Sequence, residues 1–99
     1  MPPRKAHKVD VDIKAANLRR LGRIEGQVRG IQRMVEAERY CADILIQISS
    51  IQSALRGVSR ELMRNHLQHC AAHAIRKGPV RRMNQVFDEV IELMERNSR

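Results

Sequence analysis

The stretch "ILIQISSIQSALRGVSREL", residues 44–62, carries an apolar side chain at every third or fourth position. These positions are Ile44, Ile48, Ile51, Leu55, Val58 and Leu62, and the steps between them alternate strictly between four and three. Such an alternation is typical of a coiled-coil seam, because it keeps one apolar stripe turned towards a partner helix. The stretch therefore predicts a long amphipathic helix that packs against another helix along its length.

Two further helices are predicted around this one. The first covers about residues 12–37, where apolar residues recur at steps of three and four, and either Asp10 or Asp12 can cap it. The second, which holds the stripe, runs from residue 41 to about 77 and ends at Gly78-Pro79, since proline cannot continue a helix. A third covers about residues 80–96. The prediction is an all-α protomer of three helices: a flexible basic tail over 1–11, then one domain over 12–99.

The charge of the chain is strongly positive and unevenly distributed. The net charge is +8; residues 1–39 hold ten Lys and Arg against five Asp and Glu, whereas the last 21 residues hold four of each. This excess predicts an anionic partner, most often nucleic acid. With only two aromatic residues, the chain lacks the stacking platforms that single-strand binding requires, which favours duplex DNA. The candidate DNA-contacting residues are Arg20, Arg23, Arg56 and Arg60, followed by Lys14 and Arg19; the alternative for each is a solvated helix face.

The length and the cysteine content restrict the class of protein. Ninety-nine residues form one small domain with a marginal core, so self-association is expected. No apolar run approaches the length of a membrane span, and two cysteines without a secretory signal predict reduced thiols and a cytoplasmic location. No general-base constellation or phosphate-cradling loop is present, so an enzyme is not predicted.

Three potential metal ligands continue the apolar stripe at its two ends. Cys41 lies three residues before Ile44, His66 lies four after Leu62, and Cys70 follows after four more. Within one straight helix, 25 residues separate Cys41 from His66 by about 37 Å, so the two cannot share a site. Two copies of the helix packed antiparallel, with a two-fold axis near residue 55, would instead place Cys41 of one chain against both other ligands of its partner. Such a dimer would hold two identical sites.

The chemistry of these side chains favours a soft cation. Two thiolates and one imidazole suit Cu(I), and a fourth ligand would make the set suitable for Zn(II). His73 lies one further turn along the same face, and His7 in the tail is another candidate fourth ligand. The alternative is that the cysteines are buried apolar residues and the histidine a core residue.

Three segments, "LRRLGRIEGQVRGIQRMVEAERYC", "ILIQISSIQSALRGV" and "HLQHC", resemble the copper-sensitive operon repressor family over about residues 14–78. This family also includes nickel/cobalt, formaldehyde and persulfide sensors. The resemblance implies all-helical antiparallel dimers that assemble into disc-shaped tetramers. It also implies repression of transcription at operator DNA without a helix-turn-helix, with release of the DNA when the effector binds.

The effector positions of the family match Cys41, His66 and Cys70, which is the pattern of the copper branch. The nickel branch has a histidine in place of Cys70 and an N-terminal histidine; His7 lies two residues out of register with the latter, so a Ni(II) sensor using His7 remains an alternative. A persulfide sensor that links Cys41 to Cys70 of the partner is another. Copper members also place a tyrosine and a glutamate around the ligands: Tyr40 matches the tyrosine, and Gln85 stands at the expected position of the glutamate.

Overall fold

The computed structural model describes residues 3–97, and within this range the chain is helical with no strand. Its elements are α1 (Val11–Glu36), α2 (Cys41–Asn65), a π-helical segment (His66–Ala71), α3 (Ala72–Lys77) and α4 (Val80–Asn97). The segments from α2 to α3 follow one another without a break and occupy the predicted second helix, so the all-α, three-helix prediction is confirmed. The first two residues of the predicted tail and the last two of the predicted domain lie outside the described residues.

The helix ends follow from local chemistry. Asp10 caps α1, because its Oδ1 accepts hydrogen bonds from the backbone N–H groups of Asp12 at 2.8 Å and Ile13 at 3.2 Å. After α1, Glu38 adopts a left-handed conformation with φ of 54° and turns the chain towards α2. At the end of α3, a Cβ on Gly78 would lie 2.7 Å from the carbonyl oxygen of Ala74, so only glycine allows this close approach.

The apolar stripe of α2 serves two faces rather than one. Ile51 and Val58 are buried against Ile24 of α1 and form the main core of the protomer. Leu55 and Leu62, which alternate with them, are 42% and 55% exposed. The single intermolecular seam predicted from the sequence is therefore divided. One row of the heptad packs on α1 of the same chain and the other row is largely exposed, because a sequence pattern does not specify which neighbour each row contacts.

A second core holds α4 against the end of the rod, which is the continuous helical run formed by α2, the π-helical segment and α3. Ala71 and Ala74 are buried against Val86, with Val90 packed beside them. Small alanine side chains allow α4 to approach the π-helical segment and α3 closely. This packing fixes α4 beside the candidate ligands His66 and Cys70.

The protomer is elongated, with principal extents of 56 × 27 × 26 Å, and its core is incomplete. Among the described residues no large side chain is completely buried, and several apolar side chains are exposed on α2 and α4, including Leu45, Ile46, Phe87, Ile91 and Met94. Exposed apolar surface on this scale marks an interaction site. Within residues 3–97, no helix is both long enough and apolar enough to span a bilayer.

Candidate metal centre

Two of the three candidate ligands lie in one π-helical segment. His66 opens this segment and Cys70 is its fifth residue, and both side chains line the same two grooves between the rod and α4. The helix predicted to residue 77 is continuous, and over residues 66–71 it adopts the wider π turn. Single π turns inside α-helices occur frequently at functional sites. Apolar periodicity carries no signal for such a turn.

The imidazole of His66 faces a carboxylate of α4. Its Nε2 lies 3.5 Å from Oε1 of Glu89, is buried, and makes no hydrogen bond to any residue from 3 to 97. A carboxylate at one ring nitrogen favours the proton on that nitrogen and leaves the other with a free lone pair. His66 is thus arranged as a metal ligand would be.

The structure places Glu89, rather than Gln85, beside His66. Gln85 is exposed and lies one helical turn earlier on α4. The sequence missed Glu89 because residues four apart share a helix face, and the length of the turn between α3 and α4 decides which of them reaches the ligands. A carboxylate of α4 thus lies beside His66, four residues after the position predicted from the sequence.

The N-terminal arm, residues 3–9, lies along the same end of the molecule. The backbone N–H of His7 donates a hydrogen bond to Sγ of Cys70 at 3.4 Å. The imidazole of His7 stacks on that of His73, with ring centroids 3.6 Å apart and planes inclined by 19°. Both candidate extra ligands therefore lie next to Cys70, whereas His69 lines neither groove.

A buried amide fastens this arm to the rod. Asn65 is 5% exposed; its Oδ1 accepts a hydrogen bond from the N–H of Asp10 at 2.8 Å, and its Nδ2 donates one to the carbonyl of Lys8 at 3.0 Å. Farther along the arm, Nη1 of Arg4 lies 3.8 Å from Oε2 of Glu89. Sequence reasoning missed Asn65, because one asparagine in a helix carries no pattern.

The electrostatics of this end favour a neutral His73. Partial desolvation lowers the pKa of His73, and the positive charges of His7 and Lys77 lower it further. A neutral imidazole keeps the lone pair that a metal ion requires.

Cys41 lies at the opposite end of α2 from His66 and Cys70. It is the exposed first residue of that helix, and the preceding Tyr40 is 74% exposed. The length of α2 corresponds to about 37 Å. Among the described residues of one chain, no three His, Cys, Asp or Glu side chains come together as a metal site. One protomer thus supplies His66 and Cys70 together, and a site that includes Cys41 requires a second chain.

The candidate DNA-contacting residues are distributed over separate surfaces of the protomer. Arg20 and Arg23 line a groove between α1 and α2, where a Cβ on Gly57 would lie 4.0 Å from Nη1 of Arg20. Arg56 and Arg60 line a different groove on α2, together with Arg64, which sequence reasoning did not single out. Of the remaining candidates, Arg19 adjoins Arg23, and Lys14 borders the groove of the ligands.

Comparisons with known proteins agree with this architecture. The family model of the metal-sensitive transcriptional repressors matches residues 13–96. The copper-sensing transcriptional repressor CsoR of Bacillus subtilis is 48% identical over 77 residues, which is 78% of this chain and 73% of that protein. The copper-sensing transcriptional repressor RicR of Mycobacterium tuberculosis is 53% identical over 60 residues, 61% of this chain and 62% of that protein.

Two solved structures share the fold. The Cu(I)-bound copper-sensing repressor CsoR of Geobacillus thermodenitrificans has a TM-score of 0.78 and 43% identity, over all of this chain and 95% of that one. The nickel-responsive regulator InrS has a TM-score of 0.65 and 29% identity, over 94% of this chain and 97% of that one. The resemblance inferred from the sequence is confirmed, as is the prediction that the chain is not an enzyme. The chain belongs to the metal-sensitive transcriptional repressor family.

Proposed function

We propose that this chain is a Cu(I)-responsive transcriptional repressor, which binds operator DNA without metal and releases it when Cu(I) binds. The observation that carries the proposal is the arrangement of His66 and Cys70 in one groove, with Glu89 at the far side of the imidazole. A thiolate and an imidazole are ligands that Cu(I) accepts. The relatives named as copper-sensing repressors support the same effector.

The complete site is formed by Cys41 of one protomer with the partner's His66 and the partner's Cys70. The exposed row of the α2 stripe supports this assembly, because Leu55 and Leu62 need a partner and lie between the two ligand ends. An antiparallel dimer around this row holds two equivalent sites. We further propose that two such dimers form a homotetramer, and that the protein works in the cytoplasm, where its DNA is.

Two neighbouring groups contact the candidate ligands before metal binds: His7 contacts Cys70, and Glu89 faces His66. Cys70 binds a metal ion as a thiolate, and the backbone N–H of His7 donates a hydrogen bond to its Sγ. Glu89 faces Nε2 of His66, and a carboxylate at this position favours the tautomer that leaves the other ring nitrogen free to bind a metal. Metal binding changes the charge at a point where the rod, α4 and the arm meet, and a coupling of about 1–3 kcal/mol between this site and the DNA surface is typical of such switches.

The DNA surface combines the basic grooves of several protomers. In one protomer Arg20 and Arg23 lie on a different groove from Arg56 and Arg60, so a continuous basic face requires the assembly. Arginine binds phosphate in a bidentate manner, and much of the affinity is therefore electrostatic and salt-dependent. When metal binding changes the relative positions of the protomers, the basic grooves no longer match the DNA and the DNA is released.

The test is an operator-binding titration by fluorescence anisotropy, with and without Cu(I), under anaerobic reducing conditions. The unmodified chain is expected to lose at least about tenfold in DNA affinity on copper loading, which is a coupling within the usual range. His66→Ala and Cys70→Ala should bind DNA normally and respond little. His69→Ala is the matched control, since His69 belongs to the same π-helical segment but lines neither groove. Equal DNA affinity with and without Cu(I) in the unmodified chain would refute the proposal.

A nickel sensor is the second candidate, and the position of His7 favours it. His7 and His73 stack beside Cys70, so imidazole ligands for Ni(II) lie close to the thiol. In the same titration, Ni(II) would release DNA from the unmodified chain but not from His7→Ala.

A persulfide sensor would join Cys41 to the partner's Cys70. The variant His66→Ala distinguishes it from a copper sensor, because a persulfide sensor with this substitution would still release DNA when persulfide is added.

A further inference from the structure

The groove above Cys70 is concave and strongly basic. Its volume is about 580 Å³, and the arm, the π-helical segment, α3 and α4 line it. Cys70 and His66 line it, and four permanently charged cationic residues surround them: Arg4, Lys5, Lys77 and Arg82. Glu89 is the one carboxylate among the described lining residues. The candidate ligands thus lie inside a ring of positive charge.

Little of this charge is neutralised within the protomer. Glu89 is shared between His66 and Arg4, at 3.5 Å and 3.8 Å. Lys5, Lys77 and Arg82 make no ion pair with any residue from 3 to 97. Like charges gathered around a concavity focus the field and raise the local concentration of small anions. A cation that approached this groove unaccompanied would be repelled.

The shape of the groove favours a small molecule over duplex DNA. A volume of a few hundred cubic ångströms is the usual range for small-ligand pockets. The thiol of Cys70 lines the groove, where a small molecule that enters it can reach the sulfur. The ligand that fits is a small anion able to exchange a soft metal with a thiol.

We propose that this groove binds anionic thiolate complexes of Cu(I), and that the metal reaches Cys70 by exchange from such a complex. The inference rests on the proposed function and names the form in which its effector arrives. Cu(I) prefers soft thiolate ligands, so under reducing conditions it is carried by thiols rather than as a free ion. Carriers that bear carboxylates are anionic and are attracted by Lys77 and Arg82.

The exchange is balanced and involves no oxidation. A new bond forms between copper and Sγ of Cys70 while the bond between copper and the carrier sulfur breaks. The proton of the Cys70 thiol passes to the departing thiolate, which leaves as a neutral thiol group. Copper remains Cu(I) throughout.

The experiment compares the rate of copper uptake from carriers of opposite charge. Cu(I) is supplied anaerobically as its glutathione complex, which is anionic, or its cysteamine complex, which is cationic. Uptake is followed by stopped-flow ultraviolet absorbance at low and high salt. The test variant is Lys77→Gln/Arg82→Gln. The matched control is Arg76→Gln/Arg81→Gln, which removes the same charge from the neighbouring positions of α3 and α4 that do not line the groove.

The unmodified chain should take copper from glutathione at least about tenfold faster than from cysteamine at low salt, and the preference should shrink at high salt. The test variant should lose most of the preference, whereas the control should keep it. Equal rates from both carriers in the unmodified chain would overturn this inference and leave the proposed function intact. No uptake from either carrier would overturn both. If the test variant bound operator DNA more weakly and kept its carrier preference, the cationic residues around the groove would contact DNA rather than the carrier.

Discussion

Two buried asparagines should respond in opposite directions to the same substitution. Asn17 and Asn65 are each 5% exposed, and both line the apolar groove between the rod and α4. Asn65 makes two hydrogen bonds to the backbone of the arm. Neither Nδ2 nor Oδ1 of Asn17 has a hydrogen-bond partner among residues 3–97. Replacing each by leucine, which is similar in size and shape, isolates the effect of the amide.

The expected changes follow from the hydrogen bonds. In Asn65→Leu, the N–H of Asp10 and the carbonyl of Lys8 lose their partners, and the free energy of unfolding should fall by about 2–3 kcal/mol. In Asn17→Leu, a buried amide that has no partner is removed, and the same quantity should rise by about 1–3 kcal/mol. Apolar neighbours such as Ile13, Leu21 and Val58 surround the new leucine.

Urea denaturation at one fixed protein concentration measures both changes, since self-association would otherwise shift the midpoints. The slope with urea should be the same in the two variants and in the unmodified chain. Far-ultraviolet circular dichroism before denaturation checks that each variant is folded. If Asn17→Leu destabilises the chain as much as Asn65→Leu does, the assignment of one amide as orphaned and the other as anchored is wrong.

Three further predictions concern the turn, the pH dependence and the DNA surface. Gly78→Ala should lower the free energy of unfolding by about 1–3 kcal/mol in urea denaturation, because the new Cβ would lie 2.7 Å from the carbonyl oxygen of Ala74 and α4 must shift. Since folding lowers the pKa of His73 from 6.5, the folded chain binds fewer protons than the unfolded chain as the pH falls through that value. His73 therefore leaves the free energy of unfolding unchanged above this pH and lowers it as the pH falls below this value. The urea midpoint should fall less between pH 7.5 and 5.5 in His73→Gln than in the unmodified chain. Arg20→Ala should weaken operator binding at every salt concentration and reduce the salt slope by about one, as anisotropy titrations would show, whereas Arg96→Ala, which breaks only a surface pair with its own helix, should not.

Part of the candidate site could be predicted from the sequence. The spacing of His66 and Cys70 indicated that both face one side of a helix, and the structure does bring them into one groove. The π turn between them was missed, because apolar periodicity does not distinguish a π turn from an α turn. Glu89 was missed for a related reason: its place beside His66 depends on the turn at Gly78, which sets the register of α4.

From the sequence alone, short-range periodicity, capping and residue chemistry predict the all-α class, the approximate ends of the helices and the position of His66 and Cys70 on one helix face. The packing of the helices determines which row of the α2 stripe contacts α1, where Asn65 binds the arm, and which cations surround Cys70. Several of these features join residues that are distant in the sequence, such as Ile24 and Ile51 or Lys8 and Asn65. Local patterns contain no information about such pairs, because their contact depends on the packing of whole helices against each other.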